Sequence, residues 1–384
     1  MKNTSKYNYL MSIGHFCSDI NQGALSAILP FLIAAHHYSF TKAAMLVMAA
    51  NITGSIVQPA FGQLADKYNV PWLIGVGLFF AGAGMALTGF TDDFSLLCAA
   101  VIVGGIGIAM FHPQAARLVN KASGDGNRGK NISIFSFGGN LGFTCGPLIA
   151  TTAITALGLA GTAVFLIPAI ISLLLILYYT PQLKTLGSFT TSATHTAKQT
   201  TVSDNWRAFY KLCAVIFSRS IIFHGFNTFL ALYFIQHLGQ ERSVSVYILS
   251  AFYAVGALST LLGGHLADKY GNVRMVRLSF SVLLPAIVLF TCTSNVYAAG
   301  LLLIPISCML SLSYSPMVVL GQQYLPNHIG LASGVTLGLT VSIGGIAAPF
   351  LGSIADHYNL LAAIYALAAI ALVPLVAARL LPGR

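Results

Sequence analysis

The sequence predicts an all-α integral membrane protein with twelve transmembrane helices in two pseudo-symmetric six-helix bundles. Of its 384 residues, 7% are charged and 56% hydrophobic, and the mean hydropathy is +0.80. Too little polar surface is left for a soluble globule of this length. The heptapeptide Gly62-Gln63-Leu64-Ala65-Asp66-Lys67-Tyr68 returns, with one change, as Gly264-His265-Leu266-Ala267-Asp268-Lys269-Tyr270, 202 residues further on. The same offset relates Gly23 to Gly225, Gly142 to Gly344 and Pro147 to Pro349. Internal duplication of a helical membrane protein points to a transporter.

A spanning helix needs about 20 mostly apolar residues, and the charged residues mark where spans end. The first span is expected at roughly 8–34, the second within 43–65, the third within 70–91 and the fourth within 94–116. Residues 131–183 contain no Asp, Glu, Lys or Arg, too long a run for one span, so 156–161 is read as the turn between the fifth and sixth. Residues 181–207 hold ten Ser or Thr and no apolar run long enough to cross a bilayer, which reads as a linker. The organisation is therefore an N-terminal bundle 1–180, a cytoplasmic linker 181–207 and a C-terminal bundle 208–384. The seventh and eighth spans fall near 208–236 and 243–265. The 78 uncharged residues 278–355 hold the ninth to eleventh, and the twelfth fits between Asp356 and Arg379.

Lys and Arg set the orientation. With a cytoplasmic N-terminus, sixteen of the 19 fall on the cytoplasmic side, only Lys42 and Arg242 lie outside, and Arg219 is within the seventh span. The basic excess, 19 against 9 acids, thus reads as topology and anionic-lipid contact, not nucleic-acid binding. Lys2 and Lys6 precede an apolar run, but Asp19 interrupts it and no early cleavage site follows, so the first helix is expected to be retained. Six cysteines fall in apolar stretches without a CxxC pair and read as buried small hydrophobes.

Asp19 lies about 11 residues into the first span, on the order of 16 Å along it at 1.5 Å per residue. An isolated carboxylate at that depth is too costly to face lipid. His15 precedes it by one turn on the same face. Such a pair binds and releases protons within a useful pH range. His112, before the helix-opening Pro113, is the third expected proton-coupling residue. Arg219 lies similarly deep in the seventh span, the pseudo-symmetric mate of the first, so the two can pair across a central cavity. With Gln22, His224, Asn227 and Asn140 it forms the expected substrate-binding set, which favours an anionic or zwitterionic solute. Gly142, Pro147, Gly344 and Pro349 read as helix-packing and bending elements.

His36, His37, His237 and His357 fall near the outer face, but their spacing matches no metal motif, so no metal is expected. There is no phosphate-binding glycine loop, nucleophile elbow or HExxH. Catalytic residues are therefore not expected, nor is an enzyme.

The run His15 to Gln22, Phe111-His112-Pro113, and Phe137 to Gly142 through Gly146-Pro147 together resemble the fosmidomycin-resistance branch of the major facilitator superfamily. The duplicated Gly-x-Leu-Ala-Asp-Lys turn resembles the superfamily as a whole, and the likeness covers the full chain. It implies alternating access and proton-driven drug export from the bacterial inner membrane. It also implies that Gly62, Asp66, Lys67, Gly264, Asp268, Lys269 and Arg117 form a conformational latch. Gln114 and Gln323 depart from the acids usual in that branch, and the Arg-x-x-Gln-Gly pattern of many drug/proton antiporters is absent from the fourth span. The expected protein is a monomeric secondary transporter of a small solute in a lipid bilayer, with protons as coupling ion, no cofactor and no nucleic-acid partner. The alternatives are proton-symport uptake of a small organic acid or siderophore-like solute, and a non-transporting receptor or assembly protein.

Overall fold

The computed structural model describes residues 4–122, 124–188 and 203–382. Six helices form the first half: α1 (Thr4–His36), α2 (Phe40–Lys67), α3 (Trp72–Leu87), α4 (Phe94–Ala122), α5 (Gly124–Leu157) and α6 (Leu166–Ser188), with a 3-10 turn Leu159–Phe165 before α6. The second half begins with α7 (Trp206–Gln236), α8 (Arg242–Tyr270) and α9 (Asn272–Thr291). The tenth span is α10 (Val296–Leu312) continued by α11 (Tyr314–Tyr324), and α14 (Leu360–Arg379) is the twelfth. Between them the eleventh is α12 (Ile329–Ser333), a π-helical stretch Gly334–Leu339 and α13 (Thr340–His357). Among the described residues, eleven segments are long and apolar enough to cross a membrane; α3 is apolar but shorter.

Asn and Asp start four spans by capping. The side chains of Asn205, Asn295 and Asn359 accept from the backbone N–H of Ala208, Ala298 and Ala362, and Asp93 accepts from Leu96. Each takes one of the N–H groups that a first turn leaves without a partner. The expected turn at 156–161 lies at Gly158, whose φ of 65° a side chain would resist. α3 ends at Leu87, where the Thr88 hydroxyl donates to the Met85 carbonyl. α6 continues through Pro181 to Ser188, held by Leu183, which is fully buried among Tyr7, Met11 and Ile74. Of the segment 181–207, residues 189–202 lie outside the described residues.

Two interruptions were not expected. Pro316, in the first turn of α11, has no N–H for the carbonyl one turn back, and the tenth span breaks beside it at Ser313. In the eleventh, the Thr340 hydroxyl donates to the carbonyls of Thr336 and Val335 across the π-helical stretch. The cysteines also differ from expectation: five are only half-buried and Cys292 is exposed. An apolar side chain on a spanning helix can face lipid without the cost it would carry in water.

The chain divides into two compact units, one of residues 1–37 and 49–194, the other of 38–48 and 195–384. In the first, α1 packs most closely on α5, where Gly23 meets the backbone of Phe143, and Gly142 meets the α1 backbone from Phe16 to Ile20. In the second, Gly344 of α13 meets Ser220 and His224 of α7. The offset that relates Gly142 to Gly344 thus relates the same packing in each unit.

Ahead of α7, Asp204 anchors the chain to the turn after the tenth span. Its carboxylate accepts from the Asn327 backbone N–H at 3.0 Å and meets His328 Nδ1 at 2.8 Å. Gln323 lines a neighbouring cavity of about 550 Å³ with Asp204, Arg207 and Tyr324. Desolvation pushes the Asp204 carboxyl up, but the Asn327 N–H and His328 outweigh it and hold the group below its usual range. A depressed carboxyl contributes stability above its unfolded pKa, about 3.9, and loses it as pH falls through the folded value. Acid unfolding scans should therefore show wild type losing its advantage over Asp204→Asn below about pH 4. Parallel curves down to the lowest pH would show that the anchor contributes nothing.

Candidate functional site

α1 carries a polar face through the first unit, and α4 and α5 converge on it at Asp19. The carboxylate is 4% exposed. His15 Nε2, one turn earlier, lies 3.1 Å from Oδ2, and His112 Nε2, from α4, lies 3.1 Å from Oδ1. Gln22, on the next turn, donates to Oδ1 at 3.0 Å. Ser18 Oγ stands 3.5 Å from His112 Nε2. The ring of His15 stacks on Phe135 of α5 at a centroid distance of 4.2 Å.

Hydrogen-bond logic fixes how many protons this arrangement needs. His15 Nδ1 is 2.8 Å from the Phe135 carbonyl oxygen, which only accepts. Nδ1 therefore carries a hydrogen, and in a neutral ring Nε2 would be a bare acceptor. Nε2 faces a carboxylate oxygen at 3.1 Å, another acceptor. The contact is attractive only if one further proton lies between them, on the imidazole or on the carboxyl. Oδ1 has its own donors in Gln22 and His112. The nitrogens of both rings and a carboxylate oxygen also lie within 4.8 Å of one another, a donor set able to hold a divalent ion. Metal was not expected from sequence because only the outer-face histidines were considered.

In the second unit the polar residues of α7 are arranged differently. Arg219 is 7% exposed; its Nε donates to the Leu310 carbonyl at 2.6 Å, and its guanidinium lies 5.0 Å from the centre of the Tyr314 ring and 5.8 Å from that of Phe223. The break at Ser313 accounts for that acceptor, since the last carbonyls of α10 lack continuing helical partners. His224 Nδ1 meets the Ser220 carbonyl at 2.9 Å, and Ser220 Oγ donates to the Thr340 carbonyl at 2.6 Å. Asn227 accepts from the Tyr253 hydroxyl. Among the described residues, the partners of Asp19 are all in the first unit and those of Arg219 all in the second.

Of the other residues singled out, Asn140 is half-buried on α5 and its carbonyl accepts from Thr144. Pro147 and Pro349 lie inside α5 and α13, which continue past them. Lys67 and Lys269 each lie 5.3 Å from the ring centre of the tyrosine that follows, so the two copies of the turn match in detail. Asp268 is exposed, Arg117 is half-buried, Gly62 approaches Pro113, and Gly264 faces open space. The Asp66 side chain lies outside the described residues. Sequence reasoning missed the Phe135 carbonyl, Ser18 and Tyr314.

The sequence profile of the Major Facilitator Superfamily matches residues 11–349. The chain belongs to the major facilitator superfamily. It is 29% identical to the fosmidomycin resistance protein of Escherichia coli (strain K12) over 360 residues, 91% of this chain and 86% of that one. It is 30% identical over 380 residues to an uncharacterized MFS-type transporter of Bacillus subtilis (strain 168), 95% of this chain and 90% of that one. In fold it is similar to a bacterial homolog of the human lysosomal transporter Spinster in an inward-facing and occupied conformation, with a TM-score of 0.79 and 15% identity, covering 98% and 95% of the two chains. This superfamily member is thus a multi-pass membrane transporter.

Gly139 is what lets the α1 cluster form. A Cβ there would lie 2.5 Å from His15 Nε2 and 2.7 Å from Asp19 Oδ2, closer than side-chain carbons approach. Gly139→Ala should cost about 1–3 kcal/mol in unfolding measurements on micellar protein. Because part of the clash is with the His15 ring, the Gly139→Ala, His15→Ala double variant should be less destabilised than the sum of the singles, by at least about 0.5 kcal/mol. Strict additivity would show that the two positions do not meet.

Proposed function

We propose that this chain is a secondary active transporter that exports a small anionic or zwitterionic organic solute across the bacterial inner membrane in exchange for protons, by alternating access. The observation that carries the proposal is the pair of contacts that His15 makes, Nδ1 to the Phe135 carbonyl and Nε2 to Asp19 Oδ2, which a shared proton between Nε2 and Oδ2 satisfies. A carboxylate 4% exposed and ringed by two imidazoles and an amide keeps one exchangeable proton inside an apolar bundle. Removing it leaves two facing acceptors, so the proton and any cationic or hydrogen-bond-donating group of a solute are alternatives at that carboxylate. Competition of this kind links proton entry to solute exit.

Several features support the remaining terms. Arg219, with only a carbonyl and ring faces as described partners, retains positive charge for an anionic group. Gln22, His224, Asn227 and Asn140 then supply hydrogen bonds around the solute. The name of the Escherichia coli relative favours outward movement of a drug or metabolite. The Lys and Arg distribution supports cytoplasmic termini. The halves 1–180 and 208–384, joined through 181–207, are the bodies that rock, and a single chain encloses the pathway. The turns at Asp66 and Asp268, with Arg117, act as the inner latch.

Purified protein in liposomes, challenged with a panel of anionic antibiotics and metabolites, tests this. Wild type should move protons when a solute is recognised, and Asp19→Asn should lose that movement while keeping its fold. Solute flux without proton movement, or undiminished coupling in Asp19→Asn, would sink the proposal. Solute accumulation down an imposed inward proton gradient would replace export with symport.

A further inference from the structure

The polar contacts at the start of α2 belong to another helix. Ser39 Oγ accepts from Lys42 N at 3.2 Å, a local cap. The two preceding N–H groups are taken by Asp356, near the end of α13: Phe40 N donates to Oδ1 at 2.7 Å and Thr41 N to Oδ2 at 2.9 Å. The Thr41 hydroxyl also donates to Oδ2, at 2.5 Å. A carboxylate on the first turn of a helix combines charge-assisted hydrogen bonds with the positive end of the helix dipole. One turn earlier on the same face of α13, Gly352 leaves room for it; a Cβ there would lie 2.9 Å from the Phe40 carbonyl oxygen and from Thr41 N and Cα. Gly352 and Asp356 together form a seat shaped for one helix start.

That start packs in a different unit from the rest of its helix. Residues 38–48 pack with 195–384, whereas α2 from Ala49 onward packs with the first half. Lys42, on the seated turn, is one of the few basic residues the charge distribution assigns to the outer side.

We propose that the seat of α2 on Asp356 and Gly352 is the outer latch of the transport cycle, broken each time the solute site opens outward. The proposal rests on the alternating-access reading. It assigns to Asp356 and Gly352 a positioning role remote from the solute and from Asp19. The carboxylate holds the closed state by accepting three hydrogen bonds that exist only while α2 is seated.

The test is thiol labelling in right-side-out vesicles. The native cysteines are replaced, and one cysteine is introduced at Ala44, which is fully buried one turn along α2 from Phe40. A membrane-impermeant maleimide added outside should react about tenfold faster in Asp356→Asn than with Asp356 intact, the shift expected for loss of a charge-assisted contact. Gly352→Val, which pries the seat apart, should raise the rate likewise, and Asp356→Glu should leave it within about twofold of the parent because the charge is retained. Unfolding midpoints of the same variants separate opening from misfolding. Unchanged labelling in both Asp356→Asn and Gly352→Val overturns the latch. Proton-coupled flux through the parent protein is measured separately, so a latch that responds without any such flux overturns the proton-exchange reading and leaves the latch standing.

Discussion

Everything around α1 answers to one constraint: a carboxylate has been placed where neither water nor lipid can solvate it. Asp19 therefore has to collect donors from the protein, and each donor places a demand on another element. His15 needs an acceptor for its far nitrogen, which the Phe135 carbonyl of α5 supplies at 2.8 Å. That carbonyl is within reach only because Gly138, Gly139 and Gly142 bring the two backbones together. His112 arrives from α4 beside Pro113, and Gln22 from the next turn of α1. The packing of three helices is thus organised by the solvation of one charge, and a single added methyl group at Gly139 would disturb it.

The second unit uses the same skeleton for the opposite charge. At the 202-residue offset Ser18 corresponds to Ser220, Gln22 to His224, and His112 to Tyr314, but Asp19 corresponds to Ile221 and His15 to Phe217. The acid and its partner have no counterparts; instead Arg219 stands where the first half has Cys17. Tyr314 lies against Arg219 as His112 lies against Asp19, so equivalent positions on equivalent helices partner opposite charges. Duplication supplied the geometry, and substitution at a few positions supplied an acid with imidazoles in one half and a guanidinium with a phenol in the other.

The parts legible in the sequence were those governed by local spacing. Span ends followed charge, the turn at Gly158 followed glycine, and His15 met Asp19 because residues four apart share a helix face. Contacts between distant segments were less legible. Nothing in the sequence says that His112 should touch Asp19, or that Gln22, read as a solute ligand, should first be a donor to that carboxylate. Breaks within spans were hidden as well, since the tenth and eleventh are apolar enough on average to read as unbroken and hydropathy does not register a change of hydrogen-bond pattern. Pro316 was the available signal for the tenth. Asp356 served only to mark a span boundary, because its partner lies more than 300 residues away.

α2 shows how such non-local contacts bear on movement. It is one continuous helix whose first turns pack in one unit and whose remainder packs in the other. If the units shift, either the seat at Asp356 opens or the helix bends. The sequence beyond the division at Ala49 makes bending easier: Thr53 and Ser55 turn their hydroxyls onto the carbonyls of Ala49 and Asn51, and Pro59 follows with no N–H to give. Such back-bonding loosens a helix and proline removes a rung. Bending at 49–59 while the seat holds would leave the buried Ala43, Ala44, Leu46 and Val47 in place in the unit that packs them. Unseating separates a few hydrogen bonds at an exposed carboxylate that water can solvate in their place, and it also uncovers those four apolar side chains. Release at Asp356, which the latch requires, therefore has to be offset by new burial or by solute contacts in the opened state, while the weakened stretch at 49–59 absorbs smaller changes of direction.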